Sequence, residues 1–108
     1  MTSDFKKQIV QRLTRDMLDL QLLRLISAEP TWGYRIKKSV ETDLDIKLRH
    51  GALYPTLNAM EQEGLVASKR HQQSGRSRKI YSLTPKGKEY LNAYYAVLKE
   101  QLKEEPSD

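Results

Sequence analysis

The residues with chemistry to offer lie between Lys69 and Lys79: Lys69, Arg70, Arg76, Arg78 and Lys79, set among His71, Gln72, Gln73, Ser74, Gly75 and Ser77. Cations this dense repel one another, so a partner of opposite sign is the simplest physical reason for them. Guanidinium and ammonium groups donate to phosphate oxygens, and such contacts make or break no covalent bond. Upstream, Arg49 and His50 precede a short apolar-periodic run. Tyr54, Pro55 and Asn58 fall on or beside the face of that run opposite Leu53, Leu57 and Met60. Asn58 can pair bidentately with adenine, although an exposed Asn on a helix is more often simply polar.

Catalysis finds no support. The sequence has no nucleophile–base constellation and no phosphate-cradling glycine loop. It has no cysteine, so disulfides and zinc–thiolate sites are excluded. His71 has no metal partner, and neither a metal nor a cofactor is expected.

The elements that must position the cations span Lys47 to Lys88. Leu53, Leu57 and Met60 at i, i+4, i+7 put a helix there, and Gly64 ends it. Leu65-Val66-Ala67 opens a strand and Ile80-Tyr81-Ser82-Leu83 returns as a second, with Gly75 as the turn residue of a cationic tip. Helix followed by basic hairpin is the arrangement of a winged helix-turn-helix. Lys79 can face either way: alternation groups it with Tyr81 and Leu83 on the core side, composition groups it with the wing. Pro55 inside the helix deletes one backbone bond and crowds the carbonyl of Gly51, so a local bend is expected.

Nine Lys/Arg in this stretch face only Glu61 and Glu63, a charge of +7 within a chain of +5, leaving −2 elsewhere. The excess positive charge therefore belongs to the hairpin and its flanks. A chain of 108 residues, 38% hydrophobic and 31% charged, supports one domain with a modest core, and part of its apolar surface is expected to be covered by a second subunit. No apolar run approaches the ~20 residues that span a bilayer. The N-terminus MTSDFKKQIVQR lacks the pattern of a secretory signal, so a cytoplasmic protein without a membrane partner is expected.

Three regions follow in order. Residues 1–13 form a helical arm, capped by Ser3 or Asp4, with Phe5, Ile9 and Leu13 as a narrow stripe suited to packing on something else. Residues 14–84 form the winged helix-turn-helix. Its central helix starts at Thr14 or Arg15 and runs to Ala28; a third begins near Trp32, with Tyr34, Ile36, Val40 and Leu44 inward. Tyr34 and Tyr81 are assigned to the core. Residues 85–108 form a long C-terminal dimerisation helix, opened by Thr84-Pro85, and an acidic tail. Leu91, Tyr94 or Tyr95, Leu98 and Leu102 make its stripe, and at ~30 Å the helix outruns its own domain. The expected dimer interface is thus Phe5, Ile9, Leu13, Leu91, Tyr94, Tyr95, Leu98 and Leu102. The fold class is mainly α with a small β-hairpin. Core or interface packing is the plain expectation for the aromatic residues; a pocket for a small aromatic or hydrophobic effector at Trp32, Tyr94 and Tyr95 is the sharper one.

From about Thr14 to Leu91 the chain resembles the PadR family of transcriptional regulators. The resemblance rests on Gly33-Tyr34-x-Ile36, Leu53-Tyr54-Pro55-x-Leu57 and Glu61-x-x-Gly64-Leu65-Val66. It continues through Gly75-Arg76-x-Arg78-Lys79-x-Tyr81-x-Leu83-Thr84-x-x-Gly87. Arg49-His50 stands where such proteins often have Ser-Pro, and Ile80 replaces a frequent Tyr. The resemblance implies a homodimeric repressor whose recognition helices read a near-palindromic operator in double-stranded DNA. It also implies that a small effector bound near the dimer interface weakens that binding. Two alternatives remain from the residues alone: an architectural DNA-binding protein without sequence preference, and a protein-interaction module.

Overall fold

A computed structural model of the chain describes residues 2–43 and 51–103. In chain order these form α1 (Thr2–Asp16), α2 (Leu18–Ala28), β1 (Thr31–Trp32), α3 (Gly33–Asp43), α4 (Leu53–Gln62), β2 (Val66–Gln73), β3 (Arg76–Leu83) and α5 (Pro85–Lys103). The strands make one antiparallel sheet in the order β1-β3-β2. Leu20, Leu22, Leu23 and Ile26 make α2 the centre of the core, as its many apolar positions predict. Ile36 and Val40, Leu53, Leu57 and Met60, Val66, Tyr81 and Leu91 close around it.

The first helix ends later than expected, with the break at Met17 and not near Thr14. Thr14 does not begin the next helix; it is buried, and its hydroxyl donates to the Val10 carbonyl at 2.9 Å inside α1. Tyr34 is 61% exposed and does not join the core. Two residues before Ile36 it lies about 200° around the helix from it, on the opposite face. Leu44 and the connector to Leu48 lie outside the described residues, as do Arg49 and His50.

The hairpin is longer than its apolar ends suggest. Ladder pairing runs from Val66↔Leu83 to Gln73↔Arg76, so the polar segment is strand and not loop. Ser74 and Gly75, at φ 54° and 78°, turn the chain in two residues, both in the left-handed region that such hairpins require. The sheet also has a third strand that the sequence reading missed, with Thr31↔Tyr81 and Trp32↔Ile80 pairing β1 to β3.

Both ends of the α4-to-α5 segment are tightly built. Gly64, at φ 78°, ends α4 with its N–H on the Glu61 carbonyl at 3.0 Å, while the Leu65 N–H reaches the Met60 carbonyl at 2.9 Å. Thr84 caps α5 as predicted, accepting the Gly87 N–H at 3.0 Å. Gly87 is required by space: a Cβ there would stand 2.0 Å from the Leu65 carbonyl oxygen.

Of the expected interface residues, Leu91 belongs to the domain's own core at 4% exposure, and Tyr94 packs partly against it. The first two turns of α5 still lie over the winged core. Farther along, Tyr95 and Leu98 are about one third exposed and Leu102 is 70% exposed. On α1, Phe5 and Ile9 are more than half exposed and Leu13 is half-buried.

Candidate nucleic-acid interface

The helix α4 is anchored from below by Leu53, Leu57 and Met60, all buried, and carries Tyr54, Pro55 and Asn58 on its exposed side. No side chain caps its start; the Ala52 carbonyl takes both the Thr56 N–H at 3.4 Å and the Thr56 hydroxyl at 2.9 Å. Pro55 is the third helical residue, where an N–H would have no helical partner anyway. The crowding expected at Gly51 does not arise, because Gly51, at φ 88°, precedes the helix.

Tyr54 lies against the start of α3. A Cβ on Gly33 would meet Cε1 of the Tyr54 ring at 2.6 Å, so that glycine makes room for the ring. Beside it opens a depression of about 760 Å³ between α3, α4 and the wing, whose lining includes Trp32, Tyr34, Tyr54, Asn58, Arg76, Arg78, Lys79 and Tyr81. No carboxylate is among its described lining residues. Pro55 points elsewhere, into a second depression of about 460 Å³ that it shares with Arg15, Asp19 and Glu63. The sequence-predicted contacts therefore divide: Tyr54, Asn58, Arg76, Arg78 and Lys79 come together, and Pro55 does not.

Alternation along the ribbon sorts the wing cations onto two faces. Lys69, Arg76 and Arg78 share a face with Ile80 and with Trp32 of β1, whereas Arg70 and Lys79 share the other with Ser68 and Tyr81. The open direction of Lys79 is thus the core side. Its Nζ donates to Glu61 Oε1 at 3.4 Å, and the Ser68 hydroxyl donates to Oε2 of the same carboxylate at 2.6 Å. The Ser68 hydroxyl foremost, and then Lys79, hold the Glu61 carboxyl below its ordinary value of 4.5 against the opposing effect of burial. Burial pushes the Tyr81 phenol above 10.0, which Lys79 only partly offsets, so it stays neutral. Arg70 is exposed and reaches the Ser77 hydroxyl at 3.5 Å. Lys69 and His71 are exposed.

Trp32 is half-buried at this edge, far from the role expected for it. The guanidinium carbon of Arg78 sits 4.8 Å from the ring centroid, and that of Arg35 sits 5.6 Å from it. Tyr94 and Tyr95 pack on each other, ring centroids 5.7 Å apart, and neither lines the depression that holds Trp32. Arg35 and Lys38 stand on the outward face of α3, Lys38 Nζ 5.9 Å from the Tyr34 ring, and neither lines the depression.

A helical core whose α4 is exposed beside a basic two-stranded ribbon is a winged helix-turn-helix. Residues 22–93 match the model of the transcriptional regulator PadR-like family, and the chain belongs to that family. A PadR family transcription regulator from Clostridium difficile R20291 superposes with a TM-score of 0.72 at 30% identity, over 79% of this chain and 90% of that one. Bacillus subtilis PadR, solved in complex with operator DNA, superposes with a TM-score of 0.67 at 26% identity, over 73% of this chain and 45% of that one. Transcriptional regulator Rv3488 of Mycobacterium tuberculosis (strain ATCC 25618 / H37Rv) is 39% identical over 54 residues. That match spans half the length of each protein. No helix among the described residues is long and apolar enough to cross a membrane.

Proposed function

We propose that this protein is a transcriptional repressor of the cytoplasm that binds a near-palindromic operator in double-stranded DNA as a homodimer. The observation that carries the reading is that Tyr54 and Asn58 of α4 share one acid-free depression with Arg76 and Arg78 of the wing. A helix laid in the major groove would present Tyr54 and Asn58 to base edges, while the ribbon would set its arginines against the flanking phosphates. Arg49 and His50 stand just ahead of that helix in sequence and extend its charge. The operator complex of Bacillus subtilis PadR supports DNA as the partner. Retention on the protein's own promoter over random duplex at ~150 mM salt tests the reading: specific binders usually exceed non-specific affinity by ~10³ or more. A ratio near one would favour an architectural protein.

The partner surface of the dimer is the apolar stripe that the core leaves uncovered: Phe5, Ile9 and Leu13 on α1, and Tyr95, Leu98 and Leu102 on α5, with Tyr94 at their edge. A helix of this length is marginal alone in water, so its distal half draws stability from packing. Two-fold symmetry would set the two α4 helices about one DNA turn apart, ~34 Å. Leu98→Asp is expected to place an unpaired charge in that seam, shift sedimentation towards monomer and weaken operator binding while the fold survives. A small aromatic or hydrophobic effector would act where the Tyr94–Tyr95 pair meets the second copy, and no longer at Trp32.

A further inference from the structure

We propose that Trp32 is a positioning residue of the wing, which holds Arg78 by its ring so that the guanidinium edge meets a DNA phosphate. The inference rests on the reading of the protein as a DNA-binding regulator and assigns within it a role to a residue outside the recognition helix and the hairpin.

The geometry starts from strand register. Trp32 pairs with Ile80 across β1 and β3, so Arg78, two residues earlier on β3, is its diagonal neighbour on the same face. That neighbour relation brings the Arg78 guanidinium to 4.8 Å from the ring centroid, within the reach of a cation–π contact. Arg35 approaches the same ring at 5.6 Å but is tethered by Glu29, its Nη2 donating to Oε1 at 2.9 Å. Arg78 has no such tether: no described carboxylate pairs with it. An aromatic face attracts a guanidinium without accepting a hydrogen bond from any of its N–H donors. Trp32 therefore orients Arg78 and leaves its donors free, whereas a carboxylate would have consumed them. The wing ribbon is polar along most of its length, and the short strand β1 is what gives it a rigid aromatic anchor.

A double-mutant cycle on a labelled random-sequence duplex at ~50 mM salt tests the role, because phosphate contacts dominate there whatever the operator is. Trp32→Leu is expected to weaken binding ~2- to 5-fold in the wild-type background, the scale of an exposed cation–π contact. It should add nothing once Arg78→Ala is present, and Trp32→Phe should retain most of the affinity. Arg78→Ala should lower the salt slope by about one unit for one phosphate, and Trp32→Leu, which keeps the charge, by less. Trp32 is the sole tryptophan of the sequence, so its emission reports the stack without DNA. A cation beside the ring attracts iodide and not neutral acrylamide, so Arg78→Ala should lower the ratio of iodide to acrylamide quenching. Equal losses from Trp32→Leu in both backgrounds, or an iodide-to-acrylamide quenching ratio unchanged by Arg78→Ala, would overturn the role while leaving DNA binding intact. Failure of the wild type to bind duplex would overturn the DNA reading and this role together. If Trp32→Leu does not fold, the quenching comparison decides alone.

Discussion

The recognition helix α4 and the wing stand side by side but are held in place by different physics. Beneath α4 lie Leu53, Leu57 and Met60, and a glycine-ended last turn feeds directly into the core strand at Leu65 and Val66. Beneath the wing there is little apolar surface beyond Tyr81 and Ile80. Its outer reach is a ladder of polar residues steadied by Trp32 on one face and by Glu61 on the other. Burial of methyl and methylene groups involves no charge to be screened, whereas ion pairs and cation–π contacts weaken as salt screens them. The helix that would read bases is thus rigidly seated, and the ribbon that would follow phosphates is seated by charge.

The largest expected effect is on the helix side. Leu57 is fully buried, and Leu57→Ala should destabilise the fold by ~2–5 kcal/mol in denaturant titration. Ile80→Ala on the ribbon should lose far less, and a comparable loss would show that the wing shares the core's stability. The next contrast is in recognition. Asn58→Ala should weaken operator binding by ~1–3 kcal/mol with little change on random duplex. Arg76→Ala should weaken both alike and lower the salt slope by about one unit. If Arg76→Ala spared random duplex, the wing would be reading bases and the division of labour would fail.

The smallest effect concerns the tie between the two regions. The Glu61 carboxyl is held below 4.5 in the folded protein, so its contribution is present above the unfolded value and disappears as pH falls through the lower, folded one. Glu61→Gln should therefore lower the melting temperature slightly at neutral pH and erase the difference from wild type on the acid side. Scanning calorimetry across that range checks it; a difference that grew as pH fell would mean that Lys79 and Ser68 do not stabilise the carboxylate.

Much of the scaffold was legible because its signals are local. The apolar spacing of α4, Gly64 at its end and Thr84-Pro85 at the start of α5 each concern residues within a turn or two of one another, and each is found where the pattern puts it. The polar ribbon was hidden because both its faces meet water, which removes the alternation by which a half-buried strand is recognised. The strand β1 was hidden because two residues are too few to carry a period.

The sequence alone determined what depends on nearest neighbours along the chain: the apolar stripe of α4, the glycine that ends it, the capped start of α5, and that positive charge gathers on one hairpin. Tertiary structure decided what depends on partners far away in sequence. Leu91 turned inward because α5 lies across the core for its first two turns, while Leu102 on the same stripe did not. Lys79 found Glu61, and Trp32 left the aromatic set it was grouped with to stand beside Arg78. Each outcome hangs on strand register and helix docking, and these are fixed by the summed packing of the whole core and not by any one segment's own preferences.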